Sequence, residues 1–81
     1  MITYQIRLFG IAREIVGQSW LAWETEKPLR AGELQAALQA HYPDLGRLAS
    51  LLLAVNAEYA QGDEWLQPED ELALIPPVSG G

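Results

Sequence analysis

Cysteine is missing from the chain, and with it any disulfide framework or thiolate metal site. Such a chain is compatible with a reducing compartment. Basic residues are scarce: five Lys and Arg stand against eleven Asp and Glu, a net charge of −6. The five, Arg7, Arg13, Lys27, Arg30 and Arg47, are scattered and make no stripe that would track phosphates, which disfavours nucleic acid as a partner. There is one histidine, His41, so neither a metal ligand set nor a nucleophile–base arrangement with Ser19, Ser50 or Ser79 is recognisable. No Gly-rich phosphate loop of the Walker or dinucleotide type occurs. No uninterrupted apolar run approaches the roughly 18 residues that span a bilayer. The N-terminus lacks the basic and apolar regions of a secretory signal. These absences predict a soluble, cytoplasmic domain with no bound metal or cofactor and no catalytic side chains of its own.

What remains is ample for folding. The chain has 81 residues, 49 % of them hydrophobic, which fits one small globular domain. Ile2, Tyr4, Ile6 and Leu8 alternate with Thr3, Gln5 and Arg7, the period of a strand with one buried face. Gly10 breaks it, and Ile11 and Ile15 at helical spacing predict a short helical turn ending at Gly17. Ser19 to Thr25 reads as a second strand, with Leu21 and Trp23 on one face and Trp20 on the other. Glu26 to Gly32, with Pro28, is a connection.

From about Ala31 to Tyr42 the spacing of Leu34, Leu38 and Tyr42 predicts a helix, with Glu33 at its positive end. No Ser, Thr, Asp or Asn stands near Arg30 to cap it, and Pro43 stops it. Asp44 to Ser50 is a loop or a single turn. Leu51 to Val55 is a continuous apolar run, read as a buried strand although the pattern alone does not separate strand from helix. Asn56-Ala57-Glu58 is a turn, Tyr59-Ala60 a short returning strand, and Glu71 to Ile75 a closing strand with Leu72 and Leu74 on one face.

One long helix with four or five strands predicts a two-layer α+β domain. Its core would contain Ile6, Leu8, Leu34, Leu38, Val55, Leu72 and Leu74, with the first and last strands parallel at the centre. The three tryptophans divide evenly between two readings, core filling and a partner surface marked by Trp20 or Trp23. The acidic clusters Asp63-Glu64 and Glu69-Asp70-Glu71 read as solvated turns, and His41 as a residue bordering the helix's apolar stripe.

Chemistry has one address, beyond the expected domain of residues 1–75. Residues 76–81, Pro76-Pro77-Val78-Ser79-Gly80-Gly81, are expected to form an extended functional tail. Proline fixes φ and lacks an N–H, so Pro76-Pro77 leaves a sheet as a stiff segment. The diglycine has no side chain to obstruct a narrow channel. Fully extended, the six residues reach roughly 20 Å. The α-carboxylate of Gly81 is ionised at neutral pH and a poor electrophile, so it needs activation by another protein, most simply by ATP-dependent adenylation.

Several segments together carry a family resemblance: Phe9-Gly10-Ile11-Ala12-Arg13-Glu14 with Gly17, Leu34 to Pro43, Leu53-Ala54-Val55-Asn56, and Asp70-Glu71 before the last strand and tail. Over essentially its whole length the chain resembles the sulfur-carrying small subunits of molybdopterin synthase, which are ubiquitin-like β-grasp proteins. The resemblance implies a mixed four- to five-stranded sheet with one long helix across one face. It implies that a ubiquitin-activating-like adenylyltransferase uses ATP to adenylate Gly81, that the acyl group becomes a thiocarboxylate, and that Gly80, Ser79, Val78, Pro77 and Pro76 thread into the large subunit. The sulfur then goes to cyclic pyranopterin monophosphate, in an assembly of two carriers and two large subunits that supply the catalytic side chains. Glu69, where a glycine is common, and Arg30, where a threonine cap is common, depart from the family pattern. A sulfur carrier for another pathway, such as thiamine synthesis, and a protein modifier joined through Gly81 are the alternatives.

Overall fold

The computed structural model describes residues 1–48 and 50–76. Five strands, β1 (Ile2–Leu8), β2 (Trp20–Thr25), β3 (Leu52–Val55), β4 (Glu58–Tyr59) and β5 (Leu72–Ile75), form one mixed sheet in the order β2-β1-β5-β3-β4. β1 and β5 run parallel at its centre, and the remaining pairs are antiparallel. Helices α1 (Gly10–Val16), α2 (Ala31–His41) and α3 (Pro43–Gly46) complete the fold. Alternation in β1 puts Tyr4, Ile6 and Leu8 in the core and Gln5 and Arg7 outside, as the period of two requires. Leu34 and Leu38 of α2 pack on the same face with Leu21, Leu72 and Leu74, so the domain is α+β. No described helix is long and apolar enough to cross a membrane.

Four details depart from the sequence reading. Val55 is expected in the core, but Leu53 and Ala54 are the buried residues of β3, with Leu53 in the core cluster, and Val55 only packs against the core's margin. β3 has just four residues, so its last position borders the turn rather than the centre. Leu45, in a segment read as a loop or a single turn, and Leu66, in a stretch assigned to no element, are fully buried in the core. None of the tryptophans is buried: Trp23 packs half-covered against the core, while Trp20 and Trp65 are exposed. Proline at position 43 ends α2 and also starts α3, because Tyr42 is held extended and a first-turn proline needs no N–H.

The start of α2 is capped from elsewhere in the chain. Ala31 N–H donates to the Glu64 carbonyl at 2.8 Å and Gly32 N–H to the Gly62 carbonyl at 2.9 Å. Arg30 N–H donates to the Glu33 carboxylate at 2.8 Å. Carbonyls of the 62–64 turn therefore take the place of a side-chain cap. A Cβ on Gly32 would lie 3.1 Å from the Gly62 oxygen, which is why a glycine stands there.

Tyr4 ties that end of the molecule together. Its buried hydroxyl donates to the Leu66 carbonyl and accepts from Leu29 N–H, both at 3.1 Å. Tyr4→Phe leaves both backbone groups without a partner in a buried setting. The expected result in urea denaturation is a loss of about 1–3 kcal/mol at unchanged m-value. A loss within error would show that water replaces the hydroxyl.

Candidate functional site

β5 runs through the middle of the sheet and delivers the chain to Pro76, the first of the residues expected to form the functional tail. Pro76 is half-buried and lies over Gly10, at the start of α1. Gly10 has φ +52°, and a Cβ there would come within 3.3 Å of the proline Cγ. Glycine thus meets two demands at once, a left-handed backbone and the close approach of the tail root. Pro77, Val78, Ser79, Gly80 and Gly81, expected to carry the chemistry, lie outside the described residues.

Beside that root, on the sheet face away from α2, lies a groove of about 370 Å³. Strand register explains its shape. Trp20 of β2 pairs with Arg7 of β1, Arg7 with Ala73 of β5, Ala73 with Ala54 of β3, and Ala54 with Tyr59 of β4. One row thus crosses all five strands, with small side chains as a floor between aromatic walls. Phe9 and Ile75 extend the lining toward the tail root, and Ala57 and Glu71 line it too. Trp20 is 51 % and Tyr59 62 % exposed, so the apolar surface is open to solvent. The Arg7 guanidinium carbon stands 5.3 Å from the Phe9 ring centre and 5.5 Å from that of Trp20, held by both π faces.

Residue pattern alone does not reveal this groove; Trp20 as one possible marker of a partner surface is its one trace. Alternation shows that Arg7, Trp20 and Ala73 face outward, but only the register puts them in one row.

The other candidates resolve into structure. Glu64 accepts from the N–H groups of Gln61 at 2.7 Å and Gly62 at 2.8 Å. Those bonds, Gln61's foremost, together with its own N–H hold the carboxyl below its ordinary pKa. Asp70 accepts from the Asn56 side chain at 3.1 Å and Gln67 N–H at 2.7 Å. Both acidic clusters therefore serve to close turns. His41 stands edge-on to Trp23 and Tyr42 at 5.4 and 4.8 Å. Among the described residues no three His, Asp or Glu side chains converge as a metal site.

Comparison with known proteins agrees with this geometry. The model of the ThiS family matches residues 6–81. The molybdopterin synthase sulfur carrier subunit of Caenorhabditis elegans is 34 % identical over 84 residues, covering all of both chains. That of Arabidopsis thaliana is 33 % identical over 81 residues, covering 99 % of this chain and 84 % of the relative. Among solved structures, SAMP1 of Haloferax volcanii superposes with a TM-score of 0.79 at 27 % identity, over 98 % of this chain and 99 % of the other.

Proposed function

Because the chain belongs to the ThiS family, we propose that it is the sulfur carrier subunit of a molybdopterin synthase and works through the carboxyl group of Gly81. The observation that carries this reading is the placement of an open apolar groove beside the point where β5 hands the chain to Pro76. A protein that takes up the tail is brought against that groove, so docking and tail insertion are one event. The family match, which runs through residue 81, and the curated relatives' names support the choice of pathway.

In this reading residues 1–75 are the folded carrier and 76–81 the working tail. An adenylyltransferase joins the Gly81 carboxylate to the α-phosphate of ATP and releases pyrophosphate. A sulfur nucleophile then displaces AMP and leaves a thiocarboxylate. The tail enters the large subunit, where sulfur passes to cyclic pyranopterin monophosphate and the carrier returns to its carboxylate. Pro76 and Pro77 stiffen the approach, Val78 and Ser79 bridge it, and Gly80 and Gly81 pass a channel too narrow for side chains. The chain holds no cofactor and supplies no catalytic side chain; those lie on the large subunit, in a heterotetramer of two copies of each. The reactions take place in the cytoplasm.

Intact-mass analysis tests the first half. Protein incubated with the adenylyltransferase, ATP and a sulfur donor gains the mass difference between sulfur and oxygen, located at Gly81 by fragmentation. An unchanged mass under those conditions defeats the reading. A second reading, a protein modifier conjugated through Gly81, is favoured by the likeness to SAMP1, the small archaeal modifier protein 1 of Haloferax volcanii. Conjugates that appear as slower-migrating bands only when Gly81 is present distinguish it.

A further inference from the structure

The groove is apolar along its floor, yet it carries a guanidinium at its centre. Among the described residues the only ion pair is Arg47–Asp44, and no hydrogen bond of the Arg7 side chain is present. Glu71, the other charged group in the lining, sits diagonally across from Arg7, beyond the Ile6–Leu72 pair, and the two make no ion pair. Arg7 instead leans on Phe9 and Trp20, away from β5. The side chain is exposed to solvent. A partner that covers the groove removes that solvent, and an unpaired guanidinium under an apolar surface is costly.

The π contacts fix the fork in place before binding, and the small side chain of Ala73, directly opposite Arg7, leaves room beside it. A planar fork with an open flank matches a carboxylate, which accepts two parallel N–H bonds. The acidity of the chain makes this cation unusual and its placement informative: it is one of five bases in a molecule of net charge −6.

We infer that the protein that covers this groove seats a carboxylate side chain over Ala73, bound by the Arg7 guanidinium and ringed by apolar residues that meet Phe9, Trp20 and Tyr59. The inference rests on the carrier reading and names the chemistry of its partner: the large subunit presents an acidic residue within an apolar patch, and Arg7 sets the register in which it docks.

Calorimetric titration of the full chain with the purified large subunit tests this at about 0.05 and 0.5 M salt, where screening differs severalfold. Arg7→Leu keeps an apolar side chain and removes the donors; it is expected to weaken binding about thirtyfold and to flatten the salt dependence. Arg7→Lys restores part of the affinity, and Arg7→Glu weakens binding further than Arg7→Leu. Arg30→Glu is the control. Arg30 also lies over a tryptophan, at 4.5 Å from the Trp65 ring, but at the start of α2 and outside the groove, and its loss leaves affinity unchanged. Arg7 is exposed, and thermal melts confirm that each variant is folded. Should Arg7→Leu bind as tightly as wild type, or keep the wild-type salt dependence, the carboxylate contact is overturned while the carrier reading stands. Failure of the wild-type chain to bind the large subunit overturns both.

Discussion

Deletion of Gly81 is expected to abolish sulfur transfer and to leave the unfolding midpoint where it is in the full chain. The two halves of this result have separate physical causes. Among the described residues the buried core runs from Tyr4 to Leu74, so loss of the last residue is expected to leave it intact. The strand that precedes the tail is paired on both sides, to β1 and to β3, and those ladders stop at Leu74 and Ile75. In the carrier reading, transfer depends on one acyl group at the end of a two-glycine tip. Its deletion puts the new carboxyl on Gly80, one residue short. A site that holds reacting atoms within about 3–3.5 Å does not tolerate such displacement. Thermal melts followed by circular dichroism, and product formation with the large subunit and precursor, read the two quantities independently. A midpoint lowered by several degrees would show that the tail is part of the fold, and retained transfer would remove Gly81 from the mechanism.

Truncating Leu38 has the opposite profile. Leu38 is completely buried on α2, against the sheet, in the cluster that contains Leu34, Leu53 and Leu74. Leu38→Ala is expected to cost about 2–5 kcal/mol, the range for a leucine whose cavity closes only in part. A domain of this size has roughly 5–10 kcal/mol to lose, so close to half of its stability rests on one side chain. The same deletion at Leu52, which is 43 % exposed on the outer sheet face, is expected to change stability by no more than about 0.5 kcal/mol. Urea titration of both variants checks the contrast. Equal losses would mean that the outer face is also core, and the groove would lose its standing as a binding surface.

The contrast between the two faces shows how far the chain's pattern carries. In β1, alternation alone separates Tyr4, Ile6 and Leu8 from Gln5 and Arg7, because a strand turns successive side chains to opposite faces. In α2, the spacing of Leu34 and Leu38 marks the buried stripe equally well. Legibility failed where burial depends on partners distant in sequence. Leu45 and Leu66 sit in stretches with no periodicity; Leu45 is buried where α3 packs against α1 and α2, and Leu66 where its backbone is tied to Tyr4 and Leu29. The start of α2 lacks a Ser, Thr, Asp or Asn cap; the Glu33 carboxylate takes Arg30 N–H, and the carbonyls of Gly62 and Glu64 arrive from about thirty residues away to take the next two. The tryptophans were undecidable for the same reason, since an aromatic residue fits a core and an exposed face equally well until its neighbours are known.

Residue pattern was enough for the two-layer α+β character, the strand and helix that face each other, the family, and the Pro-Pro to Gly-Gly tail as the place where chemistry is expected. Those are properties of periodicity, of proline and glycine backbone restrictions, and of residue order, all of which act locally. The tertiary structure alone decided what surrounds the tail root. Strand register aligned Trp20, Arg7, Ala73, Ala54 and Tyr59 in one row, and the central position of β5 set that row beside Pro76. Register is a relation between segments far apart in the chain, and a slip of one residue in any of these strands would turn its member of the row to the other face.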